Sequence, residues 1–162
     1  MNDQVTIMPR HTILVVDDET SIREMLVISL ESAGYNVLQA ENAKTAHSLV
    51  LDKHPDLILL DWMMPVTTGL ELLRRLKRDE MTDHIPVIML TAKAEESSKI
   101  AGLDSGADDY LAKPFSLREL ISRVKAILRR VSREELKDTI VVGDLEFDPL
   151  EHRISIAGNL IN

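Results

Sequence analysis

Five short apolar runs mark the first two thirds of the chain, and most of them end abruptly on a polar residue. Thr12-Ile13-Leu14-Val15-Val16 runs into Asp17-Asp18-Glu19, and Tyr35 to Ala40 runs up to Asn42. Leu57 to Leu60 stops at Asp61, Val87 to Leu90 stops at Thr91, and Asp109-Tyr110-Leu111-Ala112 stops at Lys113. Runs this short and this apolar predict strands, and the unbroken Leu57 to Leu60 predicts one buried on both faces. Pro86 opens the fourth run, an acceptable place for a residue without an N–H.

The segments between them carry helical spacing. A first helix is expected from Thr20 or Ser21, with Ser21 and Glu24 at capping-box spacing. It carries Ile22, Met25, Leu26, Ser29 and Ala33 on one face, with Gly34 as its stop. Asn42 is placed to cap a second helix with Ala43, Ala46, Leu49 and Val50 inward, ended by His54-Pro55. After Gly69 a third helix turns Leu70, Leu73 and Leu76 inward and Arg74, Arg75, Lys77 and Arg78 outward. A weakly apolar fourth is expected from Glu95 to Ser105, ending at Gly106. Ser116 and Glu119 open a long fifth helix with Leu117, Leu120, Ile121, Val124, Leu128 and Val131 along one side.

Five strands alternating with five helices predict an α/β domain, a (βα)5 doubly wound parallel sheet. After Val131 the pattern changes. Ser132 to Lys137 is a charged stretch. Thr139 to Val142, Leu145 to Phe147 and Arg153 to Ile156 predict short antiparallel strands, with turns at Asp148-Pro149 and Gly158-Asn159. Three such strands without a covering helix are marginal. The expected division is a domain over 1–131, a linker over 132–138 and the opening sheet of an incomplete second domain over 139–162.

Composition narrows the function classes. Among 162 residues, 44% are hydrophobic, enough for a real core. Lys and Arg number 19 against 27 Asp and Glu, a net charge of −8 and the wrong sign for gripping DNA through its phosphates. The absence of cysteine excludes disulfides, thiolate metal sites and Cys nucleophiles. No apolar run approaches the roughly 18 residues of a membrane span. Met1 to His11 lacks the apolar core of a signal peptide. A cytoplasmic protein without membrane contact is the expectation.

The strand-end residues carry the chemistry. In strand order 2-1-3-4-5, strands one and three are neighbours, so Asp17, Asp18 and Asp61 converge where such sheets open their ligand crevice. Two carboxylates ~4 Å apart repel by about 4 kcal/mol at an effective dielectric near 20, so the cluster calls for a proton or a cation. Oxygen donors without His or Cys favour Mg²⁺, with Mn²⁺ as a substitute. Thr91 can donate a hydroxyl to one oxygen of a planar PO₃ group while the Lys113 ammonium neutralises another. Asp61 is then an oxygen nucleophile that yields an acyl phosphate.

The ordered set Asp17-Asp18 … Asp61-x-x-Met64-Pro65-x-x-x-Gly69 … Thr91-Ala92 … Lys113-Pro114 resembles that of two-component response regulators. Residues 12 to about 131 are similar to a flavodoxin-like, CheY-like receiver domain. Leu59 to Pro65 with Trp62 after the acceptor, Asp79 to Leu90, and Gly106 to Tyr110 resemble the OmpR/PhoB branch that answers phosphate starvation. The resemblance implies Asp61 as phosphoacceptor and Asp18 as the main acidic metal ligand, assisted by Asp17 and by the Met63 backbone carbonyl. It implies Thr91 and Tyr110 as the switch pair, Ala92 beside Thr91 at the phosphate, and Lys113 as a phosphate contact next to a cis Lys113-Pro114 bond. Asp17 stands at a place for Glu in that branch, a difference of reach. The implied phosphodonor is a PhoR-like sensor histidine kinase or a small acyl phosphate. The tail over 139–162 resembles the first sheet of a winged-helix effector. Its DNA-reading helices do not follow here, so promoter binding by this segment is not expected.

Two further readings bear on partners. Lys99, Asp104, Asp108 and Asp109 face Glu119, Arg123, Lys125 and Arg130 around apolar Leu103 and Ile121, a pattern that can be self-complementary about a two-fold axis. Surface pairs alone are worth about 0–1 kcal/mol each. The resemblance favours a homodimer face through the fourth helix, fifth strand and fifth helix, populated on phosphorylation. His47 lies on a short helix without a bundle partner and is not read as a phosphorelay histidine. Arg129-Arg130 suits a solvated helix end.

Two other function classes compete. A Mg²⁺-dependent phosphatase with an Asp nucleophile wants a second acid two residues on, where Met63 stands. A flavodoxin-like flavin binder wants a hydroxyl- and glycine-rich loop after strand one, where Asp17-Asp18 would repel phosphate.

Overall fold

The structure is a computed structural model that describes residues 10–92 and 106–136, with backbone alone from 133 onward, and four short strands beyond. The elements are β1 (Thr12–Val16), α1 (Thr20–Ser32), β2 (Asn36–Ala40), α2 (Ala43–Lys53), β3 (Leu57–Asp61), α3 (Gly69–Arg78), β4 (Val87–Ala92), β5 (Asp109–Lys113) and α4 (Leu117–Leu136). The helix expected from Glu95 to Ser105 lies outside the described residues, as do Lys99, Leu103 and Asp104.

β1 to β5 make one parallel sheet in the order β2-β1-β3-β4-β5. Almost every residue of β1, β3 and β4 is buried, whereas the edge strands β2 and β5 are half exposed. Burial on both faces is why the three central strands are unbroken apolar runs. On one face Leu14, Val16, Ile58, Leu60 and Met89 pack with Ala46 and Val50 of α2 and Leu72, Leu73 and Leu76 of α3. Each fully buried leucine adds about 2 kcal/mol of transfer free energy, which fixes the strand ends above it. α1 lies along β1 and β2, burying Leu26 and Leu30.

Several local expectations hold. Asn42 Oδ1 accepts from Thr45 N–H at 2.8 Å, and Ser116 Oγ accepts from Glu119 N–H at 3.0 Å. Thr68, not singled out from the sequence, caps α3 in the same way through Glu71 N–H. Others are corrected. The Ser21–Glu24 capping box does not form, because α1 begins one residue earlier at Thr20 and Glu19 occupies the cap position without a side-chain bond. The inward stripe of α1 is centred on Leu26 and Leu30, leaving Met25 and Ala33 exposed. In α3, Leu72 is fully buried and Leu70 only partly so.

α4 runs through Leu136, so the charged stretch from Ser132 is helical as far as Leu136. Ser-Arg-Glu-Glu-Leu contains no glycine or proline to stop the preceding helix. The described backbone falls into two compact units, Met1–Arg123 and Val124–Asn162. In the second, β6 (Ile140–Val142), β7 (Leu145–Asp148), β8 (Arg153–Ile156) and β9 (Asn159–Ile161) form an antiparallel sheet in sequence order. The fourth strand begins at Asn159, where only a turn was expected. Among the described residues no helix is long and apolar enough to cross a membrane.

Candidate functional site

Because β1 and β3 are neighbours, Asp17, just past the end of β1, stands beside Asp61, the last residue of β3. Asp17 N–H donates to Ala40 O at 3.2 Å, and Asp17 Oδ1 accepts from Glu19 N–H at 2.9 Å, turning the chain into α1. Asp61 stays registered with β4, and the following Trp62 N–H donates to Leu90 O at 2.9 Å. The chain then doubles back, with Gly69 N–H on Trp62 O at 3.0 Å. A Cβ at Gly69 would collide with the Asp61 carbonyl oxygen, so only glycine lets the start of α3 press against Asp61. At the tip of that loop Val66 is fully exposed with φ +70°, a sparsely populated region for a β-branched residue.

One carboxylate oxygen from each of Asp17, Asp18 and Asp61 lies within 4.8 Å of the others. Asp17 is 0% and Asp61 5% exposed, while Asp18 is open to solvent. Lys113 Nζ sits 3.2 Å from Asp17 Oδ2 and 3.2 Å from Asp61 Oδ1. Three carboxylates and one ammonium leave −3 + 1 = −2 formal charges at one rim of the sheet. Burial, then the charge of Asp17, raises the Asp61 carboxyl from 3.8 to about 6 against the opposing pull of Lys113. Burial works against the Lys113 ammonium, yet Asp61 and Asp17 outweigh it and raise its pKa.

Thr91, at the end of β4, is 1% exposed, and its Oγ1 has no hydrogen-bond partner among the described residues. A buried hydroxyl is normally bonded, so this one retains a hydrogen bond to give. By register Thr91 lies beside Ala112, and Met89, two residues back on the same face, lies beside Tyr110. Tyr110 is half-buried and packs against the core. Ala92 and Met63 are exposed at the same rim, and Lys113-Pro114 is cis. A net formal charge of −2, with every carboxylate an oxygen donor, fits a hard divalent cation.

The other expected residues that the structure describes make contacts of their own. Asp109 and Arg123 pair within the chain, Arg123 Nη1 lying 2.7 and 2.8 Å from the two carboxylate oxygens, while Nη2 reaches Glu119 Oε1 at 3.1 Å. The bonds to Asp109 raise the Arg123 pKa further. Lys125 and Arg130 are exposed and Ile121 is half-buried. Asp108 plays the turn role: its Oδ2 accepts from Val87 N–H at 2.8 Å and its N–H donates to Val87 O at 2.9 Å. Lys77, expected to point outward, is instead drawn in, donating to Asp83 O at 3.1 Å and Ile85 O at 2.9 Å. Arg23 was missed altogether: its Nη1 donates to the Asp17 carbonyl at 2.8 Å.

Comparison with known proteins bears on this geometry. Residues 13–125 match the family model described as the response regulator receiver domain. The chain is 59% identical over 147 residues to the phosphate regulon transcriptional regulatory protein PhoB of Pseudomonas aeruginosa, covering 91% of this chain and 64% of that one. It is 43% identical over 157 residues to the transcriptional regulatory protein ResD of Bacillus subtilis, covering 93% and 64%. It thus spans less than two thirds of the curated relatives it matches. Among solved structures, the Vibrio cholerae chemotaxis protein CheY4 superposes with a TM-score of 0.70 at 31% identity, covering 74% of this chain and 99% of that one. The receiver domain of the Francisella response regulator 1452 gives 0.70 at 39%, covering 75% and 98%.

Proposed function

The chain belongs to the response regulator receiver domain family, and from that premise we propose that Asp61 is the phosphoacceptor of a PhoB-type transcriptional switch. The observation that carries this is the buried, overcharged acidic rim with Lys113 bridging Asp17 and Asp61 and the Thr91 hydroxyl left open beside them.

In this reading an Asp61 oxygen bonds to phosphorus while the phosphorus–nitrogen bond of a sensor kinase phosphohistidine breaks. The imidazole nitrogen leaves with the electron pair. The phosphodonor is a PhoR-like histidine kinase, with a small acyl phosphate able to replace it. Asp17, Asp18, Asp61 and the Met63 carbonyl would hold Mg²⁺, or Mn²⁺ in its place. When bound, the ion neutralises oxygens of the transferring group. Lys113 exchanges one carboxylate contact for a phosphoryl oxygen, and Thr91 donates its hydroxyl to another, with the Ala92 backbone beside it. Withdrawal of Thr91 lets Tyr110 turn inward, a population shift between two packings. The chain catalyses only its own phosphorylation and dephosphorylation.

The downstream event is homodimerisation through the segment around Lys99, Leu103 and Asp104, β5 and α4. Asp108, Asp109, Glu119, Ile121, Arg123, Lys125 and Arg130 would line this face. Since Asp109 and Arg123 already pair within one chain, forming intermolecular pairs requires partner exchange. Residues 1–131 would be the receiver and 139–162 the start of a winged-helix effector. DNA contact would come from the remainder of that effector. The phosphatase and flavin alternatives find no support, because the matched relatives are named as transcriptional regulators.

The test is exposure of the chain to Mg²⁺ and acetyl phosphate, followed by intact mass, with beryllofluoride for Trp62 fluorescence and sizing. Wild type should gain one phosphoryl group, change its Trp62 emission and shift toward dimer, and Asp61→Asn should do none of these. Phosphorylation of Asp61→Asn at the wild-type level would overturn the assignment.

A further inference from the structure

The guanidinium of Arg23, on α1, supports the acidic rim from behind. Its Nη1 donates to the backbone carbonyl of Asp17 at 2.8 Å, and its Nε donates to Gln39 Oε1 on β2 at 3.3 Å. Asp17 is thereby held at every polar position. Ala40 O takes its N–H, Arg23 takes its carbonyl, Glu19 N–H takes Oδ1 and Lys113 takes Oδ2. Gln39, which accepts from Arg23, and Ala40, which accepts from Asp17, are adjacent residues at the end of β2. Arg23 therefore ties the chain just beyond β1 to the neighbouring strand, at the point where a fully buried carboxylate must face two others.

We propose that Arg23 is a positioning residue for the divalent cation: it fixes the Asp17 backbone so that the three carboxylates are already gathered before the ion arrives. The proposal rests on the reading of this rim as a Mg²⁺-dependent phosphoacceptor site. Holding like charges together opposes their repulsion, and rigid backing of the ligand residue supplies that restraint. Arginine suits the task because its planar group serves two acceptors at fixed angles. A lysine ammonium at the same place serves as a point charge. A plain packing role predicts something different, namely equal loss of stability with and without the ion.

The experiment is calorimetric titration of Mg²⁺ alone into the full chain, without phosphodonor, for wild type, Arg23→Met, Arg23→Lys and Gln39→Leu. Denaturant midpoints with and without Mg²⁺ accompany it. Arg23→Met should weaken Mg²⁺ binding about tenfold, the scale typical of residues that orient a metal ligand. Arg23→Lys should recover only part of that, and Gln39→Leu should lose about two- to threefold. The stabilisation by a fixed Mg²⁺ concentration should shrink in step. Unchanged Mg²⁺ affinity in a folded Arg23→Met would overturn the proposal. If that variant does not fold, unchanged affinity in both Arg23→Lys and Gln39→Leu would overturn it instead. Absence of Mg²⁺ binding by wild type would overturn the phosphoacceptor reading itself, a result distinct from either.

Discussion

At the C-terminal ends of the strands Lys113 lies between Asp17 and Asp61, and at the N-terminal ends Lys77 lies 3.7 Å from Asp108. Each rim also buries a threonine. At the lower rim every group has a partner: Lys77 donates to two carbonyls, Asp108 accepts from the first N–H of β4, and Thr82 Oγ1 donates to Leu76 O at 2.7 Å. At the upper rim the carboxylates outnumber the ammonium three to one, and the Thr91 hydroxyl has no partner among the described residues. The same residue types close a structure in one place and leave it open in the other. The open one is where a ligand adds most.

Removing the cation at each rim breaks this comparison most forcefully. Lys113→Ala leaves three carboxylates unopposed and should cost the metal-free chain about 3 kcal/mol, the scale for stripping one partner from a largely buried pair. Mg²⁺ should bind this variant more tightly than wild type and restore most of the loss, because the ammonium no longer competes. Lys77→Ala should cost about 2 kcal/mol through lost charge-assisted bonds, with Mg²⁺ affinity unchanged. Denaturant midpoints with and without Mg²⁺ measure both. An equal Mg²⁺ response in the two variants would erase the distinction between the rims.

Asp61, the proposed acceptor, provides the next test. Asp61 has its pKa raised to about 6 in the folded chain against an ordinary 3.8, so the folded state binds its proton more tightly than the unfolded state. The associated stability is present below about pH 4 and is lost as pH rises through about 6. Two units correspond to about 3 kcal/mol. Without metal, Asp61→Asn should therefore be more stable than wild type by 1–3 kcal/mol near pH 7.5, with the advantage fading toward pH 4. Mg²⁺ should reverse the order at neutral pH. Urea midpoints across that range check the sign, and a metal-free Asp61→Asn less stable at pH 7.5 would contradict it.

Much of this contrast is legible in the sequence, for a definite reason. A parallel strand buried on both faces is an unbroken apolar run, so the polar residue ending it declares both its place and its exposure to the crevice. That places Asp17, Asp61 and Thr91 together once strand order is assumed, and Lys113 joins them from the end of the half-exposed edge strand β5. What resisted reading depended on three-dimensional closeness without sequence periodicity. Arg23 falls on a helix flank like any solvated basic residue, and its partner carbonyl belongs to the backbone, which no side-chain pattern reports. Lys77 follows two outward arginines, yet its stem lies alongside Gly106, where an added Cβ would meet Lys77 Cγ at 3.2 Å. Leu30 entered the core because the stripe on α1 is rotated from the one its first apolar residues suggest.

The two threonines give the smallest expected effect and the finest discrimination. Thr82→Val replaces a hydroxyl that donates at 2.7 Å by a methyl of similar volume, leaving the Leu76 carbonyl short of a bond in a buried place. It should cost about 1–2 kcal/mol, and phosphorylation should be unaffected. Thr91→Val removes a hydroxyl without a partner among the described residues, so the metal-free chain should lose nothing and can gain up to about 1 kcal/mol from relief of an unsatisfied polar group. Its loss should appear only after phosphorylation, as a weaker shift to dimer with Asp61 still accepting the phosphoryl group. Equal destabilisation of the unphosphorylated chain by both substitutions would mean that Thr91 is bonded as Thr82 is, and that the upper rim is closed rather than waiting for a ligand.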